Sequence, residues 1–264
     1  MKALHRHSES FDMSRIPLTL QMYSLREACA VDFAGTLKAV AELGYEGVEF
    51  AGYFNYSAAD LRKILDDLGL VCSGTHTGLQ TVLGDELAKT AEFNLTLGTP
   101  YLIVPWVSPE QFGGHDGAKR LGEVLSSASD EAAKLGARVG YHNHDWEFQA
   151  LPDGAIPMDL IFENASPDVI LQADTGNAQH GGGDAVPIIE KYKSRAATVH
   201  LKPYTDDFSR YFLGEDDIDW ANVFAACESG ATKYYIVEQE RYPEPYTPLE
   251  CVARCLSNLK KMGK

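Results

Sequence analysis

The sequence predicts a closed (β/α)8 barrel of the TIM type, on three observations. First, a helical stretch ending in a small turn residue is followed at once by an apolar strand, and this phrase recurs: AELG before YEGVEF, DDLG before LVCSGTH, LTLG before TPYLIVPW, AKLG before ARVGYHNH, ESG before ATKYYIVEQE. Second, the strands so marked number eight in a chain of 264 residues, close to the roughly 250 that such a barrel takes. Third, their runs are apolar on both faces, as in a parallel sheet covered by helices.

In chain order the strands are predicted at Ile16–Tyr23, Gly47–Phe50, Val71–His76, Tyr101–Trp106, Arg138–His144, Val169–Asp174, Ala197–Lys202 and Tyr234–Glu238. Between them lie amphipathic segments such as DFAGTLKAVAELG and SAADLRKILDDLG, with apolar residues three and four positions apart. Asp32 and Ser57 suit the N-caps of these two helices. Gly44, Gly69, Gly98, Gly136 and Gly230 fit the position just past a helix end, where glycine takes a left-handed backbone without steric cost. An open doubly wound sheet would carry a Gly-rich phosphate turn after an early strand. No G-x-G-x-x-G or P-loop is present, and Gly181 to Gly183 follow polar sequence. Residues 1–14 are polar and aperiodic, and are predicted to form a mobile arm in which His5 and His7 are incidental; residues 15–264 form the barrel domain.

Composition narrows the function. With 45% hydrophobic and 23% charged residues the chain can build a large core. A net charge of −15 with no cluster among the 23 Lys and Arg opposes nucleic-acid binding. No apolar run reaches the roughly 18 residues of a membrane helix and no signal peptide stands at the N-terminus, so a cytoplasmic protein is expected. Five scattered cysteines argue for reduced thiols, with Cys251 and Cys255 as helix packing residues.

Barrel chemistry sits at the C-terminal ends of the strands. There the chain places Gln21, Tyr23 and Arg26 after strand one, Glu49 after two, His76 after three and Trp106 after four. Strand five ends in His142, Asn143, His144 and Glu147, strand six in Gln172, Asp174 and Asn177, strand seven in His200 and Lys202, and strand eight in Glu238 and Glu240. Strands five to eight are neighbours, so their acidic and imidazole groups converge, and a divalent cation relieves the repulsion. Glu147, Asp174, His200 and Glu238 are the expected ligands, a set suited to Mn²⁺, Mg²⁺, Co²⁺ or Zn²⁺. Each has a plainer reading. Asp174 suits an N-cap, His200 a hydrogen-bonded core position, and Glu238 an ion pair with Lys202. Strand alternation sets Glu147 opposite to His142 and His144, so either histidine stands as an alternative ligand from strand five.

With these residues in place, the chain resembles the xylose isomerase-like TIM-barrel superfamily, in particular its sugar phosphate isomerase/epimerase group. The resemblance is carried by LQMYSLRE, LGYEGVEFAG, GTHT, YHNHDWEF, QADTGNA, TVHLKP and IVEQE, from about Ile16 to Glu240. It implies a divalent metal, most often Mn²⁺, held by Glu, Asp, His and Glu at the ends of strands five to eight, and Asp174, His200 and Glu238 match those positions. Strand five departs from the pattern: His142 precedes Asn143 where many members have a glutamate, which puts a two-glutamate epimerase in doubt and looks more like members that dehydrate keto-sugars and inososes.

The chemistry expected is proton abstraction next to a carbonyl through a metal-stabilised enediolate, in an isomerase or epimerase of a sugar or keto-sugar. The alternative is a lyase or dehydratase of a keto-sugar, 3-keto-glycoside or inosose through the same enediolate. Glu238 or Glu147 is the expected base, His144 a proton donor or acceptor, Lys202 the partner of an oxyanion. His76, His142, Glu49, Trp106, Gln172 and Asn177 are expected to face the substrate, with Tyr23, Phe54 and Trp146 as further stacking surfaces. With only Arg26, Lys202 and Arg241 as nearby cations, an unphosphorylated sugar or polyol is expected. A superfamily endonuclease is opposed by the charge, and a non-catalytic sugar-binding barrel is the remaining class. Self-association into a homo-oligomer stays open.

Overall fold

In the computed structural model, which describes residues 15–264, each predicted apolar run becomes a strand and each amphipathic stretch a helix. The order is β1 (Leu18–Gln21), α1 (Arg26–Val31), α2 (Phe33–Leu43), β2 (Gly47–Phe50), α3 (Ala58–Leu68), β3 (Val71–His76), α4 (Glu86–Leu97), β4 (Tyr101–Val104), α5 (Pro109–Phe112), α6 (Gly114–Lys134), β5 (Arg138–His142), α7 (Pro157–Glu163), β6 (Ile170–Asp174), α8 (Thr175–His180), α9 (Ala185–Lys191), β7 (Thr198–Leu201), α10 (Trp220–Glu228), β8 (Tyr234–Val237) and α11 (Pro248–Lys261). All strands pair in parallel in sequence order, and β8 closes on β1 through Leu18 with Tyr235 and Leu20 with Val237. The arm expected over residues 1–14 lies outside the described residues.

The caps act as the sequence predicts. Asp32 accepts from the Gly35 N–H at 2.9 Å and Ser57 from the Asp60 N–H at 3.1 Å. Gly44, Gly69, Gly98 and Gly136 have φ of +97°, +71°, +90° and +83°. Gly230 differs: it is not among the positive-φ glycines, and α10 is closed by Ser229 instead. Its reason is space, because a Cβ there would lie 2.7 Å from the Lys193 carbonyl oxygen.

Two cores result. The larger packs the outer strand faces against the helices, with Leu37, Leu61, Leu97 and Leu121 buried; each such side chain contributes about 1.5–3 kcal/mol. Cys251 and Cys255 sit in it on α11, and all five cysteines are free and buried. The smaller core, Ile103, Ile170 and Ala197 with Tyr101 packed against them, is separate. Ile170 lies two residues before the inward-pointing Gln172 described below, so this cluster fills the barrel's interior and forms the floor for a polar layer. Among the described residues no helix is long and apolar enough to cross a membrane.

Candidate metal centre

Alternation along each strand decides which side chains enter the barrel. The Gln172 Nε2 donates across it to Glu49 Oε1 at 2.8 Å. Gln172 therefore points inward, and so does Asp174 two residues on. The register pairs His142 with Gln172 and Asp174 with His200. Donor atoms of His142, Asp174, His200 and Glu238 consequently lie within 4.8 Å of one another at the ends of four adjacent strands.

Asp174 divides its carboxylate. Oδ1 caps α8 by accepting from the Asn177 N–H at 2.7 Å, whereas Oδ2 is buried with no hydrogen-bond partner. Burial pushes its pKa up to about 7, against the pull of Lys202 and His200. Such an orphaned oxygen is costly in a fold unless a cation takes it up. Asn143 holds the residue in place, accepting from its N–H at 2.8 Å and donating to its carbonyl at 3.2 Å.

Both histidines of the cluster are oriented from behind. Nδ1 of His142 meets Gln172 Oε1 at 3.1 Å, a contact that places the proton there and leaves Nε2, 3.9 Å from Asp174 Oδ2, with a free lone pair. Burial, then the neighbouring His200 and His76, hold His142 well below its ordinary pKa, so its imidazole is neutral. Nε2 of His200 meets Glu49 Oε2 at 2.6 Å, and its Nδ1 lies 3.0 Å from Glu238 Oε2 and 3.8 Å from Asp174 Oδ2. Burial opposes a charge on His200, but Glu49 and Glu238 lift its pKa to about 10. A cation binding there must displace that proton. Glu238, despite burial, stays well below the usual carboxylate range beside Lys202 and His200. Two carboxylates and two imidazoles, backed by a carboxylate and an amide, form a donor set that fits a borderline divalent ion.

The structure moves several sequence-predicted residues. Glu147 stands outside the cluster. β5 ends at His142, two residues earlier than predicted, and the chain turns into a single 3-10 turn at Trp146–Phe148. The buried Glu147 carboxylate there accepts from the Tyr141 hydroxyl and, at 2.8 Å, from the His144 N–H. It closes the turn, and His142 occupies the place expected of it. Glu49 and Gln172, expected against substrate, instead support the histidines. His76 also faces inward, its Nε2 2.8 Å from Gln172 Oε1 and 3.1 Å from Glu49 Oε2. Asn177 donates to the Asn143 carbonyl at 3.1 Å and so braces the turn. Trp106, 51% exposed, stands at the rim beyond β4.

Two further polar groups border the cluster. His144 lies with its ring 5.2 Å from that of His142, and its Nδ1 is buried without a partner. Burial and Lys202 hold its pKa below the ordinary value. Lys202 is paired with Glu240 and lies 3.8 Å from Glu238 Oε2. Burial opposes its charge, but Glu238, Asp174 and Glu240 hold its pKa above the ordinary range. A larger groove of about 640 Å³ runs outside the barrel beside α1 and α2, and shares no residue with this cluster.

The sequence pattern of the xylose isomerase-like TIM barrel family matches residues 37–259. An inosose dehydratase of Geobacillus kaustophilus is 28% identical over 256 residues, covering 80% of this chain and 82% of its own. The rhizopine catabolism protein MocC of Rhizobium meliloti is 23% identical over 271 residues, covering 86% and 80%. Among solved structures, a sugar phosphate isomerase/epimerase from Parabacteroides distasonis superposes with a TM-score of 0.80 at 26% identity, covering 94% of this chain and 98% of that one. The IOLI protein, solved with a bound zinc atom, superposes with a TM-score of 0.72 at 17% identity over 93% and 97%, a likeness of fold.

Proposed function

The chain belongs to the xylose isomerase-like TIM barrel family, and from that premise we propose that it is a divalent-metal-dependent carbon–oxygen lyase that dehydrates a keto-polyol or keto-sugar. One observation carries the reading: His142, Asp174, His200 and Glu238 converge with a carboxylate oxygen of Asp174 left without any partner. The inosose dehydratase relatives point to the reaction class. Zn²⁺ suits the two imidazoles, and Mn²⁺, Mg²⁺ and Co²⁺ remain candidates.

A divalent cation held there would supply positive charge beside the substrate carbonyl, which acidifies the neighbouring C–H. The chain's own groups do the rest. The His144 imidazole, held neutral by burial and Lys202, takes the proton from the carbon next to the carbonyl. The electron pair of that C–H forms a new C=C bond as the β C–O bond breaks. The departing hydroxyl leaves as water with a proton from the Lys202 ammonium, which Glu240 holds in position. Glu238, ionised and buried, keeps Lys202 and His200 oriented. The substrate is uncharged in this reading, because the other nearby cations are engaged: Arg26 lies over Tyr23 and bonds the Tyr242 hydroxyl at 2.9 Å, and Arg241 lies over Tyr211.

A second reading, isomerisation or epimerisation, draws on the Parabacteroides distasonis neighbour. It is less favoured, because an epimerase needs a base on each face of its substrate and strand five offers a neutral imidazole ligand instead of a glutamate. The metal-loaded protein, incubated with an inosose in D₂O, should release water and give an absorbing enone. Exchange at the α-carbon without enone would favour the isomerase, and neither change would favour a non-catalytic sugar-binding barrel.

A further inference from the structure

We infer that the cleft between α2 and α11, on the outside of the barrel, is the contact face of a two-fold dimer of this chain, with Val31 of each copy seated in the lower half of the other's cleft. Both helices follow a strand, so both run from the barrel mouth to its base. Gly35, Ala39 and Leu43 recur along one face of α2, and Leu249, Ala253 and Leu256 along one face of α11. Gly35, Ala39 and Ala253 are small, and the two walls enclose two cavities end to end: about 640 Å³ at the mouth and about 440 Å³ at the base. The Tyr45 hydroxyl, just past α2, donates to the Val252 carbonyl of α11 at 2.8 Å and fastens the walls together.

Charge and shape choose the occupant. Val31, at the corner between α1 and α2, is 88% exposed, and Leu249 on the opposite wall is 37% exposed. Aliphatic side chains held in water along the edge of an apolar cleft mark a contact face. A second copy brings the same net charge of −15, so it can approach only where the surface is not acidic. This face permits it: the charged residues lining the two cavities are Arg26, Lys260 and Lys261 against Glu27 and Asp32, an excess of one positive charge. The signs are also separated along the cleft. Glu27 and Asp32 stand at the mouth end and the two lysines at the base, where a Cβ on Gly44 would lie 3.1 Å from the Lys260 ammonium. A two-fold axis perpendicular to the helices sets the mouth end of each copy against the base of the other, so that acid meets base at both ends. The same rotation carries each Val31 over the base cavity, whose walls include the aliphatic Leu43, Ala253 and Leu256. A segment of another protein would find the apolar walls but not this reciprocity.

Sedimentation equilibrium of the full chain over a wide range of protein concentrations tests this apart from catalysis. The wild type should reach twice the monomer mass. Val31→Asp, at a position too exposed to disturb the fold, should weaken association by about 100-fold or more, since two carboxylates would enter apolar cavities. Glu27→Lys and Lys260→Glu should each weaken it by about tenfold by setting like charges together, and the double variant carrying both should return to within about threefold of the wild type. Circular dichroism checks that each variant is folded. A dimer indifferent to Val31→Asp, or a double variant that associates no more tightly than either single one, would overturn the inference. A wild type monomeric at every concentration would also overturn it and leave the cleft to a different protein.

Discussion

The two halves of the barrel mouth each bury a carboxylate completely, and treat it in opposite ways. In the first half, Glu49 of β2 is surrounded: Gln21 and Gln172 donate to it at 2.8 Å each, and His200 and His76 lie at 2.6 and 3.1 Å. Burial opposes its charge, yet the two imidazoles hold its pKa far below the usual range. In the second half, Asp174 of β6 has one oxygen with no partner and a pKa pushed up to about 7. Equal burial with unequal satisfaction separates the roles. Glu49 is complete as it stands and fixes the His200 and His76 rings, whereas Asp174 keeps one oxygen without a partner, as the proposed metal site would require.

Removing the unsatisfied group should break the contrast most severely. Asp174→Asn keeps the cap on α8 but loses the charge, and activity should fall by about 10³-fold or more, some 4 kcal/mol in barrier height, read as kcat/KM on the inosose. Next comes the carboxylate that sequence reasoning assigned to the metal. The Glu147 pKa is raised from 4.5 to about 7, chiefly by burial. A raised carboxyl binds its proton more tightly when folded, so the unfolded chain ionises first and stability falls as pH rises from 4.5 to 7. Denaturant melts across that window should show a loss smaller by up to about 3 kcal/mol in Glu147→Gln than in the wild type, the loss common to both coming from Asp174 and Asp216, whose carboxyls burial also raises to about 7, with metal affinity changed little.

The satisfied carboxylate should show a smaller effect. Glu49→Gln keeps the shape but removes the charge behind His200, and should weaken metal binding by about 10–100-fold while leaving one ion bound per chain. Smallest is a test of the space around it. A Cβ on Gly74 would lie 2.8 Å from Glu49 Oε1. Gly74→Ala should therefore cost about 1–2 kcal/mol in thermal or chemical unfolding by displacing that side chain, and should lower metal affinity in the same direction as Glu49→Gln.

Much of this was legible in the residues. The glycine punctuation and two-sided apolar runs locate all the strands, and Asp174, His200 and Glu238 were marked as ends of adjacent strands. Strand five stays open in the sequence among Glu147, His142 and His144, and alternation already sets Glu147 apart from the histidines; in the structure the chain turns after His142 and sends the Glu147 side chain back to the His144 N–H. Parity carried the correct answer, since His142 lies opposite Gln172, two residues before Asp174. The supporting roles of Glu49 and Gln172 were not legible, because they depend on contacts across the barrel between strands far apart in sequence, Gln172 with Glu49 and Glu49 with His200.

The central claim is that four side chains, from β5 and β6 and from the ends of β7 and β8, hold one divalent ion. Calorimetric titration of the metal-stripped protein with Zn²⁺ and Mn²⁺, run beside Asp174→Asn, tests it directly. The account predicts one ion per chain in the wild type and an affinity at least about 100-fold weaker in the variant, beyond the effect of losing an orienting partner. A wild type that takes up neither ion, or a variant that binds as tightly as the wild type, would contradict it.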